Sequence, residues 1–105
     1  MKRIMSEYIR TVLEIDDQDT IDEFIKDYMT LLTDSLPQMQ AAWEKNDYAE
    51  LRSLAHALKG CSANIGAEPV RTTSFQLQLA AEAKDSVKCN SLITHLKAFL
   101  IGMGE

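Results

Sequence analysis

The sequence predicts an all-α fold: an antiparallel up-and-down four-helix bundle with a short extra N-terminal helix. Three observations carry this. Apolar residues recur three and four positions apart over nearly the whole chain. The breaks between these runs are short and polar, which favours antiparallel neighbours. The 105 residues include only 4 Gly and 2 Pro, whereas a sandwich or barrel needs a turn every ~8–12 residues. One domain is expected over residues 1–105, since most domains hold about 100–150 residues. No repeat, linker or low-complexity segment interrupts it. Whether it stands alone or is excised from a longer protein is left open.

The elements follow in order. Residues 3–14 form a short amphipathic stretch with Ile4, Tyr8, Val12 and Leu13 on one side. Asp16 to Asp19 break it. Thr20 followed by Glu23 reads as a capping box, which satisfies two orphan N–H groups at a helix start. Ile21, Phe24, Ile25, Tyr28, Leu31, Leu32, Met39 and Ala42 carry a long helix. Pro37 should kink or divide it, because proline lacks an N–H and clashes with the preceding turn. Asn46 and Asp47 mark the next break, and Asp47 with Glu50 is a second cap signal. Leu51, Leu54, Leu58 and Ile65 carry the third helix of this series; Gly66 can end it, and Pro69 suits the first turn of the next. Val70, Leu77 and a run of alanines continue to about Lys84. Asp85 or Ser86 opens a last helix with Leu92, Leu96, Phe99 and Leu100, terminated by Gly102 and Gly104.

Composition narrows the function. The net charge is −5 and no basic tract exists, which argues against nucleic acid or an anionic membrane as partner. The longest apolar run, Ala98 to Met103, falls far short of the ~20 residues that span a bilayer. The N-terminus has no secretory h-region or cleavage site. Cys61 and Cys89 make neither a disulfide framework nor a CxxC metal site, so a reducing cytoplasm is the expected location. Cys61 is expected in the core and Cys89 at an exposed helix start. The 5 Met residues read as core filler, Trp43 as a cover for the bundle end, and His95 as a helix-edge residue.

The helix around residues 47–66 does not look like a plain core helix. With His56 at zero on a helical wheel, Arg52 falls at about −40°, Lys59 at about −60°, Gly60 at about +40° and Ala63 at about −20°. Leu54, Leu58, Cys61 and Ile65 fall between about 140° and 200°. His56 should therefore point to solvent from the middle of a rigid helix. A surface histidine alone is usually a solvated residue. Its neighbours alter the weighing. Gly60 lies one turn along, although a mid-helix glycine costs about 1 kcal/mol relative to alanine. Lys59 adds a cation able to neutralise an anion on the ring. An imidazole, an ammonium and a flat surface together suggest a histidine that receives a phosphoryl group from a docked protein.

The stretch Ala55-His56-Ala57-Leu58-Lys59-Gly60-Cys61-Ser62-Ala63-Asn64-Ile65-Gly66-Ala67 resembles the signature of the histidine-containing phosphotransfer (HPt) domains. The family pattern is close to A-H-x-L-K-G-x-S-x-x-hydrophobic-G-A, and every defined position is met. The resemblance implies a four-helix bundle whose histidine takes a phosphoryl group from a receiver-domain aspartate and gives it to another. It implies His56 as phosphoacceptor and Lys59 and Gly60 as the positions that stabilise the phosphoryl group and permit docking. It also implies a glutamine on the next helix beside the imidazole, Gln78 in preference to Gln76. One departure is the polar stretch Glu68 to Phe75, where many members show a leucine pattern.

The resemblance further implies a stoichiometric phosphocarrier without ATP-binding segments of its own. It would be a monomer, partnered by the receiver domains of a hybrid sensor kinase and of a response regulator. No cofactor is expected on this chain, and Mg²⁺ is expected on the receiver. An exposed imidazole ordinarily titrates near ~6.5 and is largely neutral at pH 7. The docking surface is expected to include Ala49, Arg52, Ala63 and Asn64, together with Lys59, Gly60 and Tyr48. The alternative is a phosphorylation-independent docking module. A metal-binding bundle is disfavoured, because only His56 and His95 are available and no Glu-x-x-His pair exists.

Overall fold

In the computed structural model, which describes residues 1–103, five helices and no strand are found among those residues. They are α1 (Lys2–Thr11), α2 (Gln18–Glu44), α3 (Tyr48–Ile65), α4 (Glu68–Glu82) and α5 (Ser86–Met103). Helices α2, α3, α4 and α5 each pack on the next, and α5 packs back on α2. One core results, holding Leu32 and Met39 of α2, Leu51 and Leu58 of α3, Leu77 of α4 and Leu96 of α5. Helix α1 lies across α2 and α3.

Local chemistry explains most of the boundaries. Asp47 caps α3, its side chain accepting the Glu50 N–H. Gly66 ends α3 in the left-handed conformation, φ +75°, where a side chain is costly. Pro69 lies in the first turn of α4, and Asp85 accepts the Lys88 N–H at the start of α5. Trp43 closes one end of the assembly, its indole N–H donating to the Ser86 carbonyl at 2.9 Å.

Six expectations are corrected. Helix α2 begins at Gln18 with Asp17 as its cap, which accepts the Thr20 N–H; Thr20 serves as a donor inside the first turn. Met5 and Ile9 are the buried residues of α1, while Ile4, Val12 and Leu13 face out. Phe24 and Leu31 of α2 are likewise exposed. Pro37 does not divide α2. Both Pro37 and Thr33, whose carbonyl loses its i+4 donor, lie on the exposed side, where water can satisfy that carbonyl. The two cysteines exchange roles: Cys89 is buried and Cys61 only half-buried. Burial pushes the Cys89 thiol up from its ordinary value, which disfavours the reactive thiolate. The last helix runs through Gly102 to Met103, and Gly104 lies outside the described residues.

The polar start of α4 is packed after all. Val70, Thr73 and Ser74 are buried there, and Thr73 returns its hydroxyl proton to the Pro69 carbonyl. In α3, the buried Ser62 hydroxyl shares a 2.6 Å hydrogen bond with the Tyr28 hydroxyl of α2. Burial pushes the Tyr28 phenol up to about 12.

Two stability predictions follow from these contacts. A Cβ on Gly66 would overlap the Tyr8 ring of α1, so Gly66→Ala combines left-handed strain of about 1–2 kcal/mol with displacement of α1. Urea unfolding should show a loss of at least about 2 kcal/mol; a smaller loss would mean that α1 is not seated on Gly66. Tyr28→Phe leaves the Ser62 hydroxyl buried without its partner, a cost of about 1–2 kcal/mol. A raised phenol favours the native state below its unfolded value of 10.0, an advantage lost between there and about 12. The wild type should therefore surrender its margin over Tyr28→Phe across that alkaline range. An equal slope of stability against pH in both proteins would refute this.

Candidate functional site

Helix α3 buries Leu51, Ala55, Leu58, Ser62 and Ile65. Leu54 and Cys61 are only half-buried. The buried arc is therefore turned from the expected one and centres about 140° from His56. Ala55 and Ser62, at about −100° and −120° on the wheel, belong to it. The histidine still lies outside the arc and is exposed.

The contacts between α3 and α4 keep one register. Arg52 meets Glu82, His56 meets Gln78, and Lys59 meets Phe75. Residue number rises along α3 as it falls along α4. His56 Nδ1 lies 3.2 Å from Gln78 Oε1. Gln78 is only 8% exposed, so its amide is held by its surroundings. Gln76, by contrast, faces solvent. The Gln78 amide nitrogen donates to Glu82 Oε1 at 3.4 Å. Arg52 Nε donates to the same oxygen at 2.8 Å. The Arg52 guanidinium, then the Gln78 amide and more distantly the Lys59 charge, hold the Glu82 carboxyl below the usual range.

Lys59 is half-buried, its ammonium 4.9 Å from the centroid of the Phe75 ring. This is a cation–π contact. Lys59, Gly60, Ala63, Arg71 and Phe75 line a shallow depression of about 260 Å³. Arg71 is paired with Glu68 by a two-pronged contact. A Cβ placed on Gly60 would meet nothing within 4 Å, so the fold itself makes no demand for a glycine there. Ala49, Ala63 and Asn64 are exposed along α3. Arg52 is exposed but engaged by Glu82, and Tyr48 is half-buried. Ser62 of the motif faces the core.

Glu82 and Phe75 were not singled out from the sequence. The signal that finds them is register: once His56 is set opposite Gln78, one turn either way sets Arg52 against Glu82 and Lys59 against Phe75. A larger groove of about 510 Å³ lies between α1 and α2 and shares no residue with this face. Among the described residues, no group of three or more His, Cys, Asp or Glu could hold a metal ion. No helix is long and apolar enough to cross a membrane.

Among curated proteins and among solved structures, no match to the chain is found. The family model for the Hpt domain matches residues 23–103, from within α2 to the end of α5. That match takes in both helices that build the His56 face, and well over half the chain. The chain thus belongs to the Hpt domain family, the histidine-containing phosphotransfer domains of two-component signalling.

Proposed function

We propose that this chain is the histidine phosphotransfer protein of a multistep phosphorelay. His56 accepts a phosphoryl group from an aspartate of one receiver domain and passes it to an aspartate of another. One observation carries the reading: an exposed imidazole in mid-helix whose Nδ1 is engaged by the buried Gln78, leaving Nε2 for a partner. The lone pair of Nε2 attacks the phosphorus of the aspartyl phosphate in line. The P–O bond breaks, and its electron pair leaves on the aspartate carboxylate. Such transfers depend on positioning and charge neutralisation more than on covalent help.

Each side chain takes a part in this scheme. Lys59 leaves the Phe75 ring for the phosphoryl oxygens, and Gln78 holds the ring. Gly60 and Ala63 keep the surface low enough for a receiver helix, while Ala49, Arg52 and Asn64 form the surrounding contacts. The receiver brings the Mg²⁺. The paired contacts along α3 and α4 support an antiparallel up-and-down bundle, in which this face belongs to two adjacent helices. The protein acts as a cytoplasmic monomer between a hybrid sensor kinase and a response regulator. It is a reversible, stoichiometric carrier without catalytic turnover of its own.

A receiver domain loaded with radiolabelled phosphate tests this. Acid-labile, alkali-stable label should move to the wild type and not to His56→Gln. Label on both proteins would overturn the site. No transfer from a panel of receivers to a folded wild type would favour a docking module. A second variant tests the flat surface. Gly60→Gln should slow transfer at least about ten-fold, because small misplacements of reacting groups are costly. Its thermal midpoint should hold or rise, since the added side chain meets open space and glutamine is the better helix former. Normal transfer would refute close approach at Gly60.

A further inference from the structure

Three hydrogen bonds link four side chains across α3 and α4: His56 to Gln78, Gln78 to Glu82, and Arg52 to Glu82. The order of donors along this chain is fixed by chemistry. An ionised carboxylate only accepts, an amide oxygen only accepts, and an amide nitrogen only donates. Glu82 is therefore served by the Gln78 amide nitrogen, and Gln78 Oε1 is turned toward His56. The reversed amide would set its oxygen against the carboxylate. Gln78 is buried and has little access to water as a substitute partner. The ring nitrogen facing Gln78 Oε1 must then carry the proton.

We infer that Glu82 is a positioning residue: through Gln78 it holds the neutral imidazole of His56 as the Nδ1–H tautomer, with the Nε2 lone pair facing out. The inference rests on the phosphoacceptor reading of His56. Which ring nitrogen is protonated is set by the hydrogen bond that the other groups impose. Without such a constraint the proton would occupy Nε2 in part of the population, and that part could not attack.

The same chain serves the transfer step. When Nε2 bonds to phosphorus the ring becomes cationic, and Nδ1 keeps its proton. The Nδ1–H then donates more strongly to Gln78 Oε1. The carboxylate of Glu82 polarises the intervening amide, and hydrogen bonds in series strengthen one another. Arg52 fixes the carboxylate and offsets its charge beside a site that must take an anion. Its ion pair with Glu82 is solvent-exposed, 48% and 40% at the two side chains, so it contributes little to stability.

Ring-nitrogen NMR of His56 at about pH 9, where an ordinary imidazole is neutral, decides the matter. The wild type should show Nδ1–H with Nε2 unprotonated. In Glu82→Gln the new amide offers either a donor or an acceptor, so Gln78 can turn over and the two tautomers should mix. The transposed pair, Glu82→Gln with Gln78→Glu, should restore Nδ1–H, because the carboxylate then accepts from Nδ1 directly. Transfer from a loaded receiver should fall roughly ten-fold in Glu82→Gln, in line with other residues that orient a reacting group from behind. Its thermal midpoint should be little changed.

An unchanged tautomer ratio in Glu82→Gln, or a wild type protonated on Nε2, would overturn the inference. The tautomer measurement involves no phosphoryl group. If it comes out as expected and wild-type His56 still takes no label, the positioning role stands and the phosphorelay reading falls.

Discussion

The hydrogen bond from His56 to Gln78 spans the seam between α3 and α4, and it exists only because the two helices lie close and in one register. A histidine that is to meet a receiver, as proposed for His56, has to stand outside the core. A side chain outside the core is ordinarily free to turn. Here the ring is on the surface while its partner amide is buried. That division leaves the imidazole both open to solvent and held at one nitrogen.

The seam in turn rests on small and hydroxyl-bearing side chains. Ala55 of α3 and Ser74 and Ala81 of α4 are buried. None is bulky enough to force the helices apart. Ser62 is tied to Tyr28 of α2, so the back of α3 is braced while its front is exposed. The polar run at the start of α4 belongs to this arrangement.

Much of this was legible in the sequence because α3 is bounded by unambiguous local signals. Asp47 and Gly66 mark its ends, and the spacing of Leu51, Leu58 and Ile65 sets the direction of the core. The exposed histidine follows from those, whereas the glutamine beside it is implied only by the resemblance to the HPt signature. Helix α1 was not legible in the same way. It carries two interleaved apolar rows, Ile4-Tyr8-Val12 and Met5-Ile9-Leu13, one residue apart around the helix. Either row could face in, and only the surfaces of α2 and α3 select Met5 and Ile9. Phe24 and Leu31 fail for a related reason: α2 has more apolar side chains than its neighbours can cover. The Arg52–Glu82–Gln78 chain needs the α3–α4 register, which no single helix encodes.

Two glycines on α3 separate what folding requires from what the surface requires. Gly66 sits at positive φ beneath Tyr8, so the chain itself demands it. Gly60 has ordinary helical surroundings and open space where a side chain would go. Nothing within the protein is gained by it, and its helix is weakened by about 1 kcal/mol relative to alanine. A cost carried inside a well-packed helix, one turn from an imidazole held at a single nitrogen, has its natural explanation outside the chain. Under the proposed function, the surface is flat at that point so that another backbone comes close enough for phosphorus to reach Nε2.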